Sequence, residues 1–405
     1  MIENRKLRIL VVTECFWPDI YAINDIVEKM VQRGHTVTVL TGLPDYTTSR
    51  IPPEYKHGQR RHETYKGAEV YRVSTIARRH GPIWRSLSYL SFVISGSLKA
   101  RFGDFREFDV IYVWEVSPVT MAVPAITLKR RFGKQLFLYC MDIWPECVKA
   151  MNINEGTPAY GIIHAWSRRI YNRCDHIAVS SKPFFEYLTR VNGVPRHKMS
   201  YLPQFGDGRL LNMDTGKKAG SETTDLLFVG NMGKAQNLDC LIRSFAVFKG
   251  RSDVRLHLVG GGSEADNIRR LAEKLGLNDN VIFYGPKPFD ETLKMYCSAD
   301  ACVLTLDGSN HIGDTLPGKL QTYMAAGKMI LAAANGATRE IIDESECGIC
   351  VAAGDCEALG HAMEAYVNDK DSFASCGSRA RDYFRKHFME EQHFETLENC
   401  LNEMI

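Results

Sequence analysis

The chain carries little excess charge of either sign: 50 Lys and Arg against 48 Asp and Glu leave +2 over 405 residues. That balance argues against a dedicated nucleic-acid binder, which needs a cationic footprint for phosphate. Local basic patches remain possible within it. No apolar run is long enough to cross a bilayer. No leader pattern precedes the first strand, so no signal peptide is expected and the protein is read as intracellular with reduced thiols. The 12 cysteines are scattered, several of them inside apolar strand patterns where a free thiol serves as a small hydrophobe. Cys347-Gly-Ile-Cys350 is a lone CxxC read at a turn, without the further ligands that zinc requires. The turn after the first strand, residues 13–22, contains no glycine. A dinucleotide-binding fold places Gly-x-Gly-x-x-Gly there so that pyrophosphate can approach the backbone. That absence speaks against a dehydrogenase.

What is present suits two domains of ordinary size. In the first half, strand patterns at residues 7–12, 36–40, 71–73, 110–113, 136–139 and 177–179 alternate with helical ones. The first helix has Asn24 as a candidate cap and Ile26, Val27, Met30 and Val31 on one face. This alternation predicts an α/β, doubly wound parallel sheet, and ligands of such sheets bind beyond the carboxyl ends of the strands. Three segments are therefore candidates: the loop holding Trp17 and Asn24, the run Trp114-Glu-Val-Ser-Pro118 with Glu115, and Asp142-Ile-Trp-Pro-Glu146. Trp144 can stack on a sugar or cover apolar surface. Asp142 can be a ligand contact or a helix N-cap, and Glu146 a contact or compensation of a helix dipole. The stretch from Arg78 to Phe92 mixes cations with Trp, Tyr and Leu, as does a helix lying on a membrane, and Lys129-Arg-Arg-Phe-Gly-Lys134 adds charge. The alternative is a helix packed on the sheet with solvated arginines.

Residues 207–225 are polar and Gly-rich and read as an interdomain linker. A second parallel sheet follows, with strands at 226–231, 254–260, 281–284, 301–305 and 329–333. Two glycine-bearing turns close strands of this sheet. One is Gly230-Asn-Met-Gly-Lys-Ala-Gln-Asn237, with Asn231, Gly233 and Lys234. The other is Gly260, Gly261, Gly262 and Ser263. Glycine removes the Cβ obstacle to close approach, and successive N–H groups form an anion nest. A third candidate is Asp314-Thr-Leu-Pro-Gly-Lys-Leu-Gln-Thr-Tyr-Met-Ala-Ala-Gly-Lys328. Pro317 and Gly318 turn the chain into a helix whose first turn holds Lys319, a ready anion site. Strand-to-helix turns favour glycine in any case. The agreement of three turns along one sheet edge is what points to a nucleoside diphosphate.

Over nearly its whole length the chain resembles bacterial family 4 glycosyltransferases of the GT-B architecture, in the branch that builds capsular, exopolysaccharide or O-antigen units. The resemblance rests on Phe16-Trp-Pro-Asp19 with Asn24-Asp25, Arg33-Gly-His-Thr-Val-Thr-Val-Leu-Thr-Gly-Leu-Pro-Asp-Tyr46 and Asp142-Ile-Trp-Pro-Glu146. In the second half it rests on Val229-Gly-Asn-Met-Gly-Lys-Ala-Gln236, Val259-Gly-Gly-Gly-Ser263 and Pro317-Gly-Lys319 through Gly327-Lys328. It implies two Rossmann-like domains facing across a cleft: residues 1–206 for the acceptor, a linker over 207–225, residues 226–385 for the nucleotide-sugar, and a terminal helix over 386–405 returning to the first domain. It implies a retaining hexosyl- or N-acetylhexosaminyl-transferase that uses a UDP-sugar without cofactor or metal. The only Asp-x-Asp, Asp369-Lys-Asp371, lies far from the site loops. The implied acceptor is a saccharide, commonly linked to polyprenyl diphosphate, which places the enzyme at the inner face of the cytoplasmic membrane. Lys234 and Lys319 are carried over for diphosphate, Tyr284 for the nucleotide, Asp314 for the donor sugar, and Asp142, with Glu115 second, as the acceptor-side acid. Two positions depart from the family: Thr322 stands where a ribose-binding carboxylate is usual, and Asn231 and Gln236 where Arg and Lys are. The rival readings are a GT-B sugar-nucleotide epimerase and a non-enzymatic two-domain sugar-binding protein.

Overall fold

The computed structural model describes residues 5–45, 49–78, 81–105, 107–151, 153–213, 223–308 and 314–405. The centre of the expected linker, Tyr46 of the second motif, and Arg79 and His80 of the basic–aromatic stretch lie outside the described residues. The chain divides into two compact units, Met1–Leu202 with Glu395–Ile405, and Pro203–Phe394.

The first unit holds strands β1 (Arg8–Val12), β2 (Thr36–Thr41), β3 (His62–Tyr65), β4 (Ala68–Arg72), β5 (Val110–Glu115), β6 (Gln135–Cys140), β7 (His176–Val179) and β8 (Met199–Tyr201). Its helices are α1 (Ala22–Gln32), α2 (Pro82–Phe102), α3 (Val123–Phe132), α4 (Pro158–Tyr171) and α5 (Pro183–Arg190). The sheet order is β3-β4-β2-β1-β5-β6-β7-β8, parallel throughout except for the β3–β4 hairpin. Every residue of β5 is buried, as expected of a strand covered by helices on both faces. The order reverses between β1 and β5, so the loops after these two strands flank the switch point where doubly wound sheets bind ligands.

The second unit holds β9 (Thr224–Val229), β10 (Val254–Val259), β11 (Val281–Gly285), β12 (Ala301–Thr305), β13 (Met329–Ala333) and β14 (Gly348–Val351). Its helices are α6 (Leu238–Phe245), α7 (Ala265–Leu275), α8 (Phe289–Ser298), α9 (Gly318–Ala325), α10 (Gly336–Ser345), α11 (Cys356–Asn368) and α12 (Cys376–His387). The last helix, α13 (Glu390–Glu403), begins in the second unit and ends in the first. The order β11-β10-β9-β12-β13-β14 is all parallel and reverses between β9 and β12.

Three strands escape the sequence reading. β3 is a polar edge strand, β8 has three residues, and β14 carries Gly348 and Cys350. The CxxC is therefore not at a turn: Cys347 is buried and Cys350 pairs with β13 across from Ala332. Asn24 is not a helix cap either. The cap is Tyr21, in extended conformation, and Asn24 lies inside the first turn.

The segment of α13 that belongs to the first unit is tied there by charge. Glu398, buried, accepts from Arg33 Nε at 2.7 Å and meets His35 Nε2 at 3.1 Å. Burial alone raises a carboxyl. Here the hydrogen bonds from Arg33 and His35 outweigh it and hold Glu398 below the ordinary range.

Candidate functional site

The carboxyl edge of the second sheet gathers the three glycine and lysine turns. β9 ends at Val229, and Gly230 takes φ +152°. A Cβ there would stand 3.3 Å from both Cε and Nζ of Lys319, so the glycine admits the lysine. The ammonium of Lys319 lies 4.3 Å from the centre of the Phe228 ring and donates to Gln236 Oε1. Half-buried and, among the described residues, without a carboxylate partner, it is lowered by burial to about 7. The second glycine turn packs on the first. A Cβ on Gly260 would lie 1.9 Å from the Gly230 carbonyl oxygen, and one on Gly262 would lie 2.6 Å from Asn231 Oδ1 and from Met232. Backbone bonds from Gly230 N to Val259 O and from Met232 N to Gly261 O fix the pair. Among the described residues, the N–H groups of Asn231, Gly233, Gly261 and Gly262 have no backbone partner. A half-buried cation with no carboxylate partner among the described residues, beside four N–H groups without backbone partners at a topological switch point, is suited to an anion.

The remaining second-unit candidates are placed as follows. Lys234 is exposed in the first glycine turn. Pro317 is the cap of α9 instead of its first residue, and Gly318 begins the helix. Thr322 donates its hydroxyl to the Gly318 carbonyl at 3.2 Å, one turn back. Asp314 is half-buried, directly after residues outside the described set. Tyr284 is not brought to the glycine turns. Its hydroxyl meets His257 Nδ1 at 2.9 Å, and His257 Nε2 meets Asp225 at 3.0 Å, in a cavity walled by α8. Gln236 was legible only as a departure from the family; the structure makes its amide the partner of the key lysine.

At the first unit's switch point, Asn24 is buried and its amide is spent within the loop. It accepts from Trp17 N at 3.0 Å and donates to Asp19 O at 2.7 Å. The Trp17 ring rests on Tyr65. Asp142 accepts from Ser117 N and Oγ at 3.0 and 2.9 Å, tying the loops after β5 and β6 together. Burial raises its carboxyl, and the two Ser117 bonds oppose the rise. It is not an N-cap. Glu115 has no exposed surface, and among the described residues neither oxygen meets a nitrogen or oxygen partner. Burial, then the Asp142 charge, pushes it well above the ordinary range, with the Cys140 thiol opposing the rise. Trp144 is buried in the first unit's core, with Nε1 donating to Ser117 Oγ at 3.3 Å, which overturns a ring face open to sugar. Glu146 is also buried, held by Tyr187 at 3.1 Å and Lys149 at 2.9 Å, which makes it structural. Sequence reasoning missed Glu14. It stands two residues past β1 with one oxygen unpartnered, and burial, opposed by Arg78, raises it to about 8. Its signal was an acid in the turn that lacks glycine.

Comparison with known proteins gives this arrangement its context. Residues 21–204 match the family described as glycosyl transferase 4-like domain, and residues 214–383 match glycosyl transferases group 1. An uncharacterized glycosyltransferase of Methanocaldococcus jannaschii is 23% identical over 85% of this chain and 83% of its own length. Sucrose-phosphate synthase from Thermosynechococcus elongatus superposes with TM-score 0.76 at 17% identity, over 98% of this chain and 99% of its own. An Anabaena protein crystallised with UDP superposes with TM-score 0.73 at 15% identity, over 98% of this chain and 100% of its own. With a glycosyl transferase 4-like domain in its first half and a glycosyl transferases group 1 domain in its second, the chain belongs to the glycosyltransferases of GT-B type.

Proposed function

We propose that this glycosyltransferase moves a sugar from a UDP-sugar to a saccharide acceptor, with retention and without a metal, and that the acceptor is carried on a polyprenyl diphosphate. The observation that carries the reading is Lys319, beside four unused N–H donors on two interlocked glycine turns. In the reaction the bond from the anomeric carbon to the diphosphate breaks, and a bond from the acceptor oxygen to that carbon forms on the same face. The acceptor hydroxyl gives its proton to the Asp142 carboxylate, and the electron pair of the broken bond leaves with UDP. Lys319, Lys234 and the turn amides meet the charge that develops on the diphosphate, which is the role a metal would otherwise take. Asp142 is the acceptor-side acid, because among the first unit's sequence candidates it alone keeps both surface and a raised carboxyl. A base works best when its pKa is near the working pH. Asp314 contacts the donor sugar. The anion site supports a nucleoside diphosphate; UDP in a structural relative favours the uridine form.

The test is a panel of UDP- and GDP-sugars with a polyprenyl-diphosphate-linked saccharide, read by mass spectrometry. One donor should add one sugar residue to the acceptor and release UDP. Conversion of the donor into an epimer, in the absence of any acceptor, would instead establish an epimerase.

A pH dependence follows from the lysine. In the free protein the Lys319 ammonium titrates near 7 because burial disfavours its charged form. Bound diphosphate favours the charged form, so binding takes up a proton. UDP affinity is expected to fall above neutrality, approaching about tenfold per pH unit. Calorimetry in buffers of different ionisation enthalpy, between about pH 6 and about pH 9, measures the uptake directly. Lys319→Arg, charged throughout, should flatten the profile.

A further inference from the structure

Helix α2 is built inside out. Its inward face is Ser88, Phe92, Gly96 and Ala100, three of them small, and a Cβ on Gly96 would come within 2.8 Å of Pro124 on α3. Large apolar side chains point to solvent: Ile83 is 73% exposed, Leu87 38%, Leu90 52%, Ile94 53%, Leu98 54% and Phe102 73%. These positions recur every three or four residues, so they form one continuous stripe along a helix of 21 residues, about 30 Å long. Helix α4 repeats the pattern on a smaller scale, with Ile162 and Trp166 each 55% exposed one turn apart. The inner faces of α2, α3 and α4 share a single core, through Phe92 and Ala100, Ala125 and Leu128, and Tyr160 and Ile170. The three helices therefore lie in one layer on the same side of the sheet. Scattered exposed apolar residues are ordinary, whereas a continuous stripe of this length on a soluble protein marks an interaction surface.

The charge of that layer selects the partner. Helices α2, α3 and α4 contain no Asp or Glu, against three cations from α2, three from α3 and two from α4. In a chain whose total is +2, this is a strong local bias. Not all of these cations face outward. Lys129 is bridged to Asp175 at 2.6 Å, and Arg131 donates to the Ala100 and Gly103 carbonyls, so two cations of the run from Lys129 to Lys134 are engaged within the unit. Arg130, Arg169 and Arg173 remain at the surface, close enough that the first two, after burial, lower the third. A second copy docked face to face would bring these cations together. An anionic lipid surface neutralises them while burying the stripe. Among the described residues no helix is long and apolar enough to span a bilayer.

We infer that the α2–α4 layer is a membrane-docking surface, with α2 lying in the interface of an anionic bilayer, its Ile83–Phe102 stripe among the acyl chains and Arg130, Arg169 and Arg173 against the headgroups. The surface is independent of the donor assignment, so its failure would leave the transferase reading intact. Flotation of the full chain with phosphatidylcholine vesicles, with and without about a third phosphatidylglycerol, tests it. The wild type should float with the anionic vesicles at least tenfold more tightly than with the neutral ones. Ile94→Glu/Leu98→Glu should abolish flotation with the melting temperature and UDP affinity unchanged. Arg130→Gln/Arg169→Gln should remove the preference for phosphatidylglycerol. Should the glutamate pair fail to fold, Leu90→Ser/Ile94→Ser replaces it, with at least a tenfold loss expected. Equal binding to both vesicles, binding unmoved by the substitutions, or a concentration-dependent dimer that Ile94→Glu/Leu98→Glu makes monomeric would each overturn the inference, the last in favour of a second copy.

Discussion

Lys319→Ala is expected to lower kcat/KM for transfer by about 10²–10³-fold, the cost of removing one preorganised charge-stabilising donor from a developing oxyanion. The same change should leave the fold as stable as before or raise its melting temperature. Lys319 is a half-buried cation with Gln236 and the Phe228 ring as neighbours and no carboxylate partner among the described residues. Its folded-state pKa is depressed to about 7. A lysine depressed on folding costs stability at any pH where the unfolded chain carries the charge. Lys328 is lowered by burial as well, yet it donates to the Cys297 and Ala299 carbonyls at 3.2 and 2.6 Å, so its truncation leaves backbone acceptors unmet and should destabilise. The pair of variants separates the two roles. Transfer rates, UDP affinity and thermal melts on Lys319→Ala and Lys328→Ala should show activity lost with stability kept in the first, and stability lost in the second. Full transfer by Lys319→Ala would remove the central assignment.

The contrast between these lysines also shows what the sequence could convey. Both flank the same helical segment in the same motif, and nothing in spacing tells a charge held open for a ligand from one that closes a strand edge. Period and turn chemistry made the parallel sheets and the three glycine and lysine turns legible, because those patterns are local. Polar residues at strand ends are ambiguous by nature. Glu115 ends a strand and Trp144 and Glu146 follow one, just as ligand contacts do, yet all three are buried, Trp144 held by Ser117 and Glu146 by Tyr187, partners distant in sequence. Glu14 was passed over for the converse reason: it sits in a turn judged by what it lacked. In α2 the composition showed apolar and cationic residues together, and only the structure shows that the small residues took the core and the large ones were left outside.

The glycines of the second turn present the sharpest choice between a ligand and the fold. By sequence, Gly260, Gly261 and Gly262 clear a path for phosphate; by structure, two of the three clear a path for the neighbouring turn. Gly260 sits at φ +134° and Gly262 at φ +157°, both regions that L residues rarely adopt, and added Cβ atoms would meet the Gly230 carbonyl at 1.9 Å and Met232 at 2.6 Å. The Gly230 carbonyl has little freedom to yield, since its own N–H is bonded to Val259 at 2.9 Å. Gly260→Ala therefore combines an overpacked contact with backbone strain, and roughly 3–5 kcal/mol of destabilisation is expected, with UDP binding lost as the turns separate. Gly262→Ala should cost less, because part of its clash is with the movable Asn231 side chain. At Gly261 a Cβ would stand 3.3 Å from the Pro286 ring, and the expected cost is under about 1 kcal/mol. Urea midpoints and UDP affinities for the three alanine variants decide the matter. A graded loss of stability in the order 260, 262, 261, with affinity following it, means that the glycines build the anion site by interlocking two turns. Equal loss of affinity at all three, with stability unchanged, would mean that phosphate itself occupies the space the missing side chains leave.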